Sequence, residues 1–175
     1  IDTMADLYEA GKINAALVVA PKGVYDNWVK NEIPAHLPDR IQRNLLRWTP
    51  AKTKRMETDL KDFIVGDLHG IKVFVMNIEA FSTSRGTEAA LAFLYQNPDN
   101  IVIVDESTTI KNRKAARTKN IVKLQEYSKY RRILTGSPIT KSPMDLFSQC
   151  DFLRNKALGF NSYFAFQSRY ANIQQ

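Results

Sequence analysis

The sequence predicts an α/β fold with a mainly parallel central sheet and helices on both faces. Three observations predict it. Four short runs are continuously apolar, segments with helical spacing separate them, and a polar or turn-forming stretch follows each run. Short apolar runs without alternation mark strands buried on both faces. Strands that alternate with helices pair in parallel, because the crossover helix returns the chain to the same end of the sheet.

The four runs are residues 15–20, 73–76, 101–104 and 132–134, with 43–48 as a weaker fifth. Helical spacing covers residues 24–37, where Val24, Trp28, Val29 and Ile33 recur and Pro38 stops the pattern. Residues 53–65 place Met56, Leu60, Phe63 and Ile64 on one face. Residues 87–95 do so with Ala90, Leu91 and Leu94, and 115–127 with Ile121, Val122 and Leu124. A last helix is expected over 143–153, with Ser142 as N-cap and Pro143 at the first helical position.

A chain of 175 residues is long enough for one domain with its own core. No apolar run approaches the roughly 20 residues of a membrane-spanning helix, and Ile1-Asp2-Thr3-Met4 is not a signal peptide, so no membrane partner is expected. The single cysteine, Cys150, excludes an internal disulfide and fits a reducing compartment. His36 and His69 stand far apart without neighbouring thiols or imidazoles, which argues against a zinc centre. The net charge of +7 favours a polyanionic partner, nucleic acid first, although a basic surface alone also fits a merely soluble protein.

If the strands are parallel, their C-terminal exits lie along one edge, where open α/β sheets bind ligands. Two exits carry pointed chemistry. Asp105 and Glu106 follow a run of β-branched residues. Neighbours on a strand point to opposite sides, so the two carboxylates can take different roles. Asp105 suits Mg²⁺, a cation that takes oxygen ligands and keeps waters, and Glu106 suits activation of a water. By itself the pair also reads as two solvated carboxylates capping a strand. Thr135-Gly136-Ser137-Pro138 implies a tight turn offering two hydroxyls to a carboxylate or phosphate, or simply an ordinary turn.

Taken in order, these stretches resemble a known family. Leu17-Val18-Val19-Ala20-Pro21-Lys22 is followed by Trp28, then by Asp105-Glu106-Ser107-Thr108-Thr109-Ile110-Lys111-Asn112. Arg131 to Ile139 comes next, then Met144-Asp145-Leu146-Phe147 and Phe152-Leu153. From about Ala15 to about Tyr170 the chain resembles the first lobe of Swi/Snf-type ATPases in helicase superfamily two. The resemblance implies a RecA-like three-layer sandwich and an ATP-dependent DNA helicase or translocase using ATP and Mg²⁺, with Asp105-Glu106 as its Walker B pair. It implies that Asp105 holds the metal and nucleotide together with Glu106, which activates the hydrolytic water. Pro21 and Lys22, with Lys111 and Asn112, would contact the nucleic acid, DNA that is double-stranded. Thr135, Gly136 and Ser137 would couple nucleotide state to DNA contact. Trp28 is expected to be structural, packing its helix on the sheet.

Departures from the family pattern set further expectations. Gly11-Lys12-Ile13 lacks the second glycine and the Ser or Thr of a phosphate loop. Residues 2–10 are therefore read as the helix that follows such a loop, with the loop and the second helicase lobe outside this chain. The fragment alone is expected to be inactive. Thr108 stands where the family has His, which weakens the expected link from the carboxylate pair to Thr135. The absence of large insertions points to a bacterial or phage protein, cytoplasmic and nucleoid-associated. Two other functions compete: a non-catalytic nucleic-acid-binding module of the same fold, and an unrelated metal-dependent phosphoryl-transfer enzyme.

Two basic groups remain: Lys111, Arg113, Lys114, Arg117 and Lys119, and Lys52, Lys54 and Arg55. Each reads as phosphate contact or as a solvated helix face, the second group more as the latter. Residues 154–175 form a helical extension expected to reach toward the second lobe. Its aromatics, Phe160, Tyr163, Phe164, Phe166 and Tyr170, read as a packing face rather than a base-stacking platform.

Overall fold

Five strands form one sheet in a computed structural model that describes residues 1–50 and 53–171. They are β1 (Ala15–Ala20), β2 (Arg43–Arg47), β3 (Ile71–Asn77), β4 (Asn100–Asp105) and β5 (Tyr130–Leu134). The order is β2-β3-β1-β4-β5 and every pairing is parallel. All five expected strands are present, the weak one included. The register sets Ala20 beside Asn77, Val19 beside Val104 and Asp105 beside Leu134. The exits of β1, β3, β4 and β5 therefore share one edge.

Alternate residues of the central strands enter two different cores. Leu17, Val19, Phe74, Met76, Val102 and Val104 face one layer of helices. That layer comprises α4 (Lys54–Val65), α5 (Ser84–Gln96), α6 (Ala116–Lys123) and α7 (Leu146–Leu153). Ala16, Val18, Ala20, Val73, Val75 and Ile103 face α1 (Asp2–Glu9), α2 (Tyr25–Asn27) and α3 (Ile33–His36) on the other side. The result is the three-layer sandwich. Within the first core Phe63 stacks on Phe93 at 5.9 Å and Phe74 tilts against Phe93 at 5.3 Å. Each such ring contributes about 1.5–3 kcal/mol on burial.

Not every strand is buried. Tyr130 to Leu134 is half-exposed, with Leu134 41% exposed, because β5 occupies the edge of the sheet and has a neighbour on one side only. The run at 132–134 opens on Arg132, and a charge inside so short a run was the readable sign of an edge strand.

The helices match the expected spacing with local changes. The expected helix at 24–37 is broken into α2, a π-helical turn over Trp28–Glu32, and α3. Pro34 has no N–H to donate back, so the preceding turn widens and Ile33 N–H reaches the Trp28 carbonyl, five residues earlier. Helix α5 starts at Ser84, earlier than expected, because Thr83 caps it by accepting from Gly86 N–H. Gly86 is needed there, since a Cβ would stand 2.3 Å from the Ala80 carbonyl. Ser142 caps as expected, but its first turn, Pro143–Asp145, is 3-10 before α7 begins.

At the opposite end of the sheet the buried Lys72 donates to the Ile64 carbonyl and to Asn97 Oδ1, both at 3.1 Å. It ties the ends of α4 and α5 together, and burial pushes its ammonium below the usual lysine range. No described helix is long and apolar enough to cross a membrane.

Candidate functional site

Four loops meet at the C-terminal edge of the sheet, and their chemistry is unequal. Asp105 is the last residue of β4 and is partly buried. Its Oδ2 accepts the indole N–H of Trp28 at 2.8 Å, and its Oδ1 accepts the Glu106 amide at 2.9 Å. Trp28 was expected only to pack. It does pack, at 6% exposure, and it also holds this carboxylate. Seventy-seven residues separate the partners, and no local spacing rule connects them.

Glu106 corrects a second expectation. It does not continue the strand with its side chain opposite Asp105. Its backbone is left-handed, with φ of 47° and ψ of 61°. That conformation costs a non-glycine residue about 1–2 kcal/mol. It turns the exposed carboxylate along the rim toward the end of β5. There Oε1 accepts the Thr135 hydroxyl at 2.9 Å and the Thr108 hydroxyl at 2.6 Å. The substitution of Thr at 108 therefore does not break the link between the carboxylate pair and Thr135. The Thr108 hydroxyl reaches Glu106 within its own loop and makes no bond to the turn after β5. Here it supports the same carboxylate oxygen from its own side while Thr135 makes the bond directly.

The turn after β5 is organised by Thr135. Its Oγ1 accepts the Ser137 amide at 3.2 Å while it donates to Glu106. Ser137 donates its hydroxyl to the Ile139 carbonyl at 3.1 Å, and Gly136 is exposed with open space around it. Beneath this turn Gln149 of α7, fully buried, donates to the Pro138 carbonyl at 2.8 Å and accepts the Ser107 hydroxyl at 2.6 Å. One amide thus ties the turn after β4 to the turn after β5.

Lys111 is only 32% exposed at its side chain. Its ammonium donates to Thr140 and lies 4.0 Å from Asp145. Asp145 Oδ2 also accepts the Thr140 and Lys141 amides, both at 2.9 Å. Burial pushes the Asp145 carboxyl up, but these donors outweigh it and bring the group down to about 2. Asn112 is exposed, and its Oδ1 accepts the Lys114 amide at 3.1 Å. Both residues shape the loop from 107 to 115.

On the near side, Pro21 is half-buried and Lys22 exposed. The Pro21 carbonyl accepts both Val24 and Tyr25 amides, at 2.8 and 2.9 Å, which welds the loop to α2. Arg113 lies over Tyr163 at 4.2 Å and docks helix α8 (Tyr163–Tyr170). Phe147 and Phe166 complete that contact at 5.8 Å, so the aromatic segment packs on this lobe. Arg117 is partly buried and Lys114 and Lys119 are exposed. Lys54 and Arg55 sit on exposed positions of α4, while Lys52 and residues 172–175 lie outside the described residues.

Asp105 fits Mg²⁺ of the kind held by one carboxylate, waters and substrate phosphates. Both oxygens keep lone pairs after their protein bonds. A cage of three or more His, Cys, Asp or Glu is absent among the described residues. The Gly-Lys pair fits no phosphate. Gly11, at φ of 64°, closes α1, with Gly11 N–H on the Tyr8 carbonyl and Lys12 N–H on the Leu7 carbonyl. It stands at the N-terminal edge of the sheet, before β1 begins.

The chain is similar to known proteins in fold and in sequence. The fold matches that of a Sulfolobus solfataricus SWI2/SNF2 ATPase core in complex with dsDNA, with a TM-score of 0.64 and 24% identity over 95% of this chain and 30% of that one. The mouse protein DNA annealing helicase and endonuclease ZRANB3 is 26% identical across 89% of this chain. ATP-dependent helicase fft1 of Schizosaccharomyces pombe is 26% identical across 92%. The chain spans only 13% and 16% of those two relatives. These relatives are eukaryotic and the solved structure is archaeal, so the expected bacterial or phage source has no support from them. The model of the SNF2-related domain matches residues 1–173, and the chain belongs to that family.

Proposed function

We propose that this chain is the first-lobe portion of an ATP-driven motor that moves on double-stranded DNA. The observation that carries the reading is the junction of Glu106 with Thr135 beside Asp105, on the edge that also presents Lys22. The family and the relatives' printed activities support it.

In this reading Asp105 holds Mg²⁺ with the nucleotide. The metal, when bound, neutralises charge developing on the phosphate oxygens. Glu106 orients and deprotonates the attacking water. Both protein donors go to its Oε1, which leaves Oε2 to face that water. Thr135, Gly136 and Ser137 report the state of this carboxylate to the turn beneath which Gln149 sits. Pro21 and Lys22 meet the DNA backbone, and Lys111 and Asn112 hold the adjoining loop against the same strand. In the parent protein a phosphate loop and the second lobe supply the phosphate ligands, and the second lobe closes over this edge. Helix α8 presents Phe164, 68% exposed, and Tyr170, 53% exposed, toward it.

The test uses the full-length protein. ATP hydrolysis should rise on addition of linear duplex DNA, and Glu106→Gln should reduce it to background while DNA binding persists. Turnover indifferent to duplex DNA, or retained by Glu106→Gln, rules the reading out.

A further inference from the structure

We propose that Trp28 is a positioning residue for Asp105: its indole N–H fixes the rotation of the carboxylate that meets the metal. The inference rests on the reading of Asp105 as the Mg²⁺ carboxylate. Asp105 is held at two points on different elements, Oδ2 by Trp28 and Oδ1 by the Glu106 amide. A carboxylate gripped on both oxygens cannot turn about its last torsion, so its remaining lone pairs keep one direction. The indole N–H is a donor only, and it has no second hydrogen-bonding state to slip into. Its direction is set by packing, since the ring is buried in the second core with Tyr25, Ile33 and Ile103.

The backbone around Trp28 is arranged for this contact. Residues five apart on an α-helix diverge by about 140° around the axis. Trp28 and Ile33 are five apart and are both buried, at 6% and 0% exposure. The π-helical turn over Trp28–Glu32 brings both onto the sheet-facing side. A regular helix would bury one and turn the other away. Such insertions are costly and cluster at functional positions, and here the turn places one N–H on one carboxylate. A buried indole N–H needs an acceptor wherever it lies, and here that acceptor is the aspartate at the rim, which is itself held a second time by the Glu106 amide.

The test replaces Trp28 in the full-length protein by β-(3-benzothienyl)alanine, which keeps the ring volume and removes the N–H, with Trp28→Phe and Asp105→Asn in parallel. Mn²⁺ binding is read from the free-ion resonance signal with a non-hydrolysable ATP analogue present. Loss of a group that orients a ligand from outside the coordination sphere weakens metal affinity about 10- to 100-fold. The benzothienyl variant should bind Mn²⁺ about 10-fold more weakly, need correspondingly more Mg²⁺ for turnover, and keep the wild-type thermal midpoint. Wild-type Mn²⁺ affinity in that variant overturns the proposal, and so does a loss of affinity accompanied by an equal fall in thermal stability. Asp105→Asn separates the two levels. If it too binds Mn²⁺ like wild type, the assignment of the metal to Asp105 fails. If it loses the metal while the benzothienyl variant does not, only the role of Trp28 fails.

Discussion

Thr135 donates its hydroxyl to Oε1 of Glu106 at 2.9 Å, across the ends of two neighbouring parallel strands. Thr108 donates to the same oxygen from the other side at 2.6 Å. Two donors on one oxygen fix where the other oxygen points. If Glu106 activates the water as proposed, misplacing it by about 1 Å costs up to about 100-fold in rate. Thr135→Val in the full-length protein should lower kcat by up to that factor with little change in the KM for ATP. Thr108→Val should do less, and the double variant should cost less than the product, because both serve one carboxylate. Strict multiplicativity would show that the hydroxyls act independently of Glu106.

The left-handed backbone of Glu106 stores strain at the end of β4. Glycine relieves that strain but frees the unfolded chain, and the two effects are of similar size, about 1 kcal/mol each. Glu106→Gly should therefore fold with a thermal midpoint close to wild type while hydrolysis disappears. Asp105→Gly, at a strand position, should lose both. A fall of more than about 2 kcal/mol for Glu106→Gly in denaturant unfolding would mean the turn depends on its side chain for folding.

The sheet was legible because burial writes itself into composition: strands packed on both faces can hold little but Val, Ile, Leu, Met, Phe and Ala. Residues 15–20 and 101–104 carry that mark without exception. The rim was legible as a consequence of parallel pairing. What stayed hidden are bonds between side chains distant in sequence. Trp28 meets Asp105 and Ser107 meets Gln149 only after the crossovers have been made. Pro34 did lie inside the expected helix, and its missing N–H was a readable signal for the widened turn. The conformation of Glu106 had no comparable signal, since left-handed residues are announced by Gly or Asn.

Arg131 was read only as part of a resemblance, yet it is a clamp. Its guanidinium donates to the carbonyls of Leu153, Gln125 and Ser128 at 2.8, 3.0 and 2.7 Å. These are the ends of α7 and of the turn after α6, and burial pushes the guanidinium below the usual arginine range. Removing it orphans three carbonyls. Arg131→Met should destabilise the fold by about 2–3 kcal/mol in urea unfolding. Arg131→Lys should recover less than half, since one ammonium cannot span three carbonyls in a plane.

Asp145 gives the fold a pH dependence of known sign. Its carboxyl lies lower in the folded chain, at about 2, than the 3.8 of a free aspartate. Its contribution is complete above about pH 4 and is lost as pH falls toward 2. The group is near the surface, where water screens part of the effect, so about 1–2 kcal/mol is at stake. Asp145→Asn should be less stable than wild type at pH 7, and the gap should narrow as pH falls below about 4 and close only as it passes below about 2. A gap independent of pH would place the loss in packing.

Lys22 separates backbone contact from general basicity. It stands exposed at the tip of the loop after β1, and the Pro21 carbonyl anchors that loop through two amides. A single phosphate contact releases about one counterion, so the logarithm of the binding constant loses about 0.9 of slope against the logarithm of salt concentration. Lys22→Ala should weaken duplex binding equally for unrelated sequences and reduce the salt slope by about 1. Lys12→Ala, exposed at the opposite edge of the sheet just before β1, should leave the slope unchanged. If both variants lower it alike, affinity comes from the +7 net charge as a whole, and the loop holds no privileged place on the DNA.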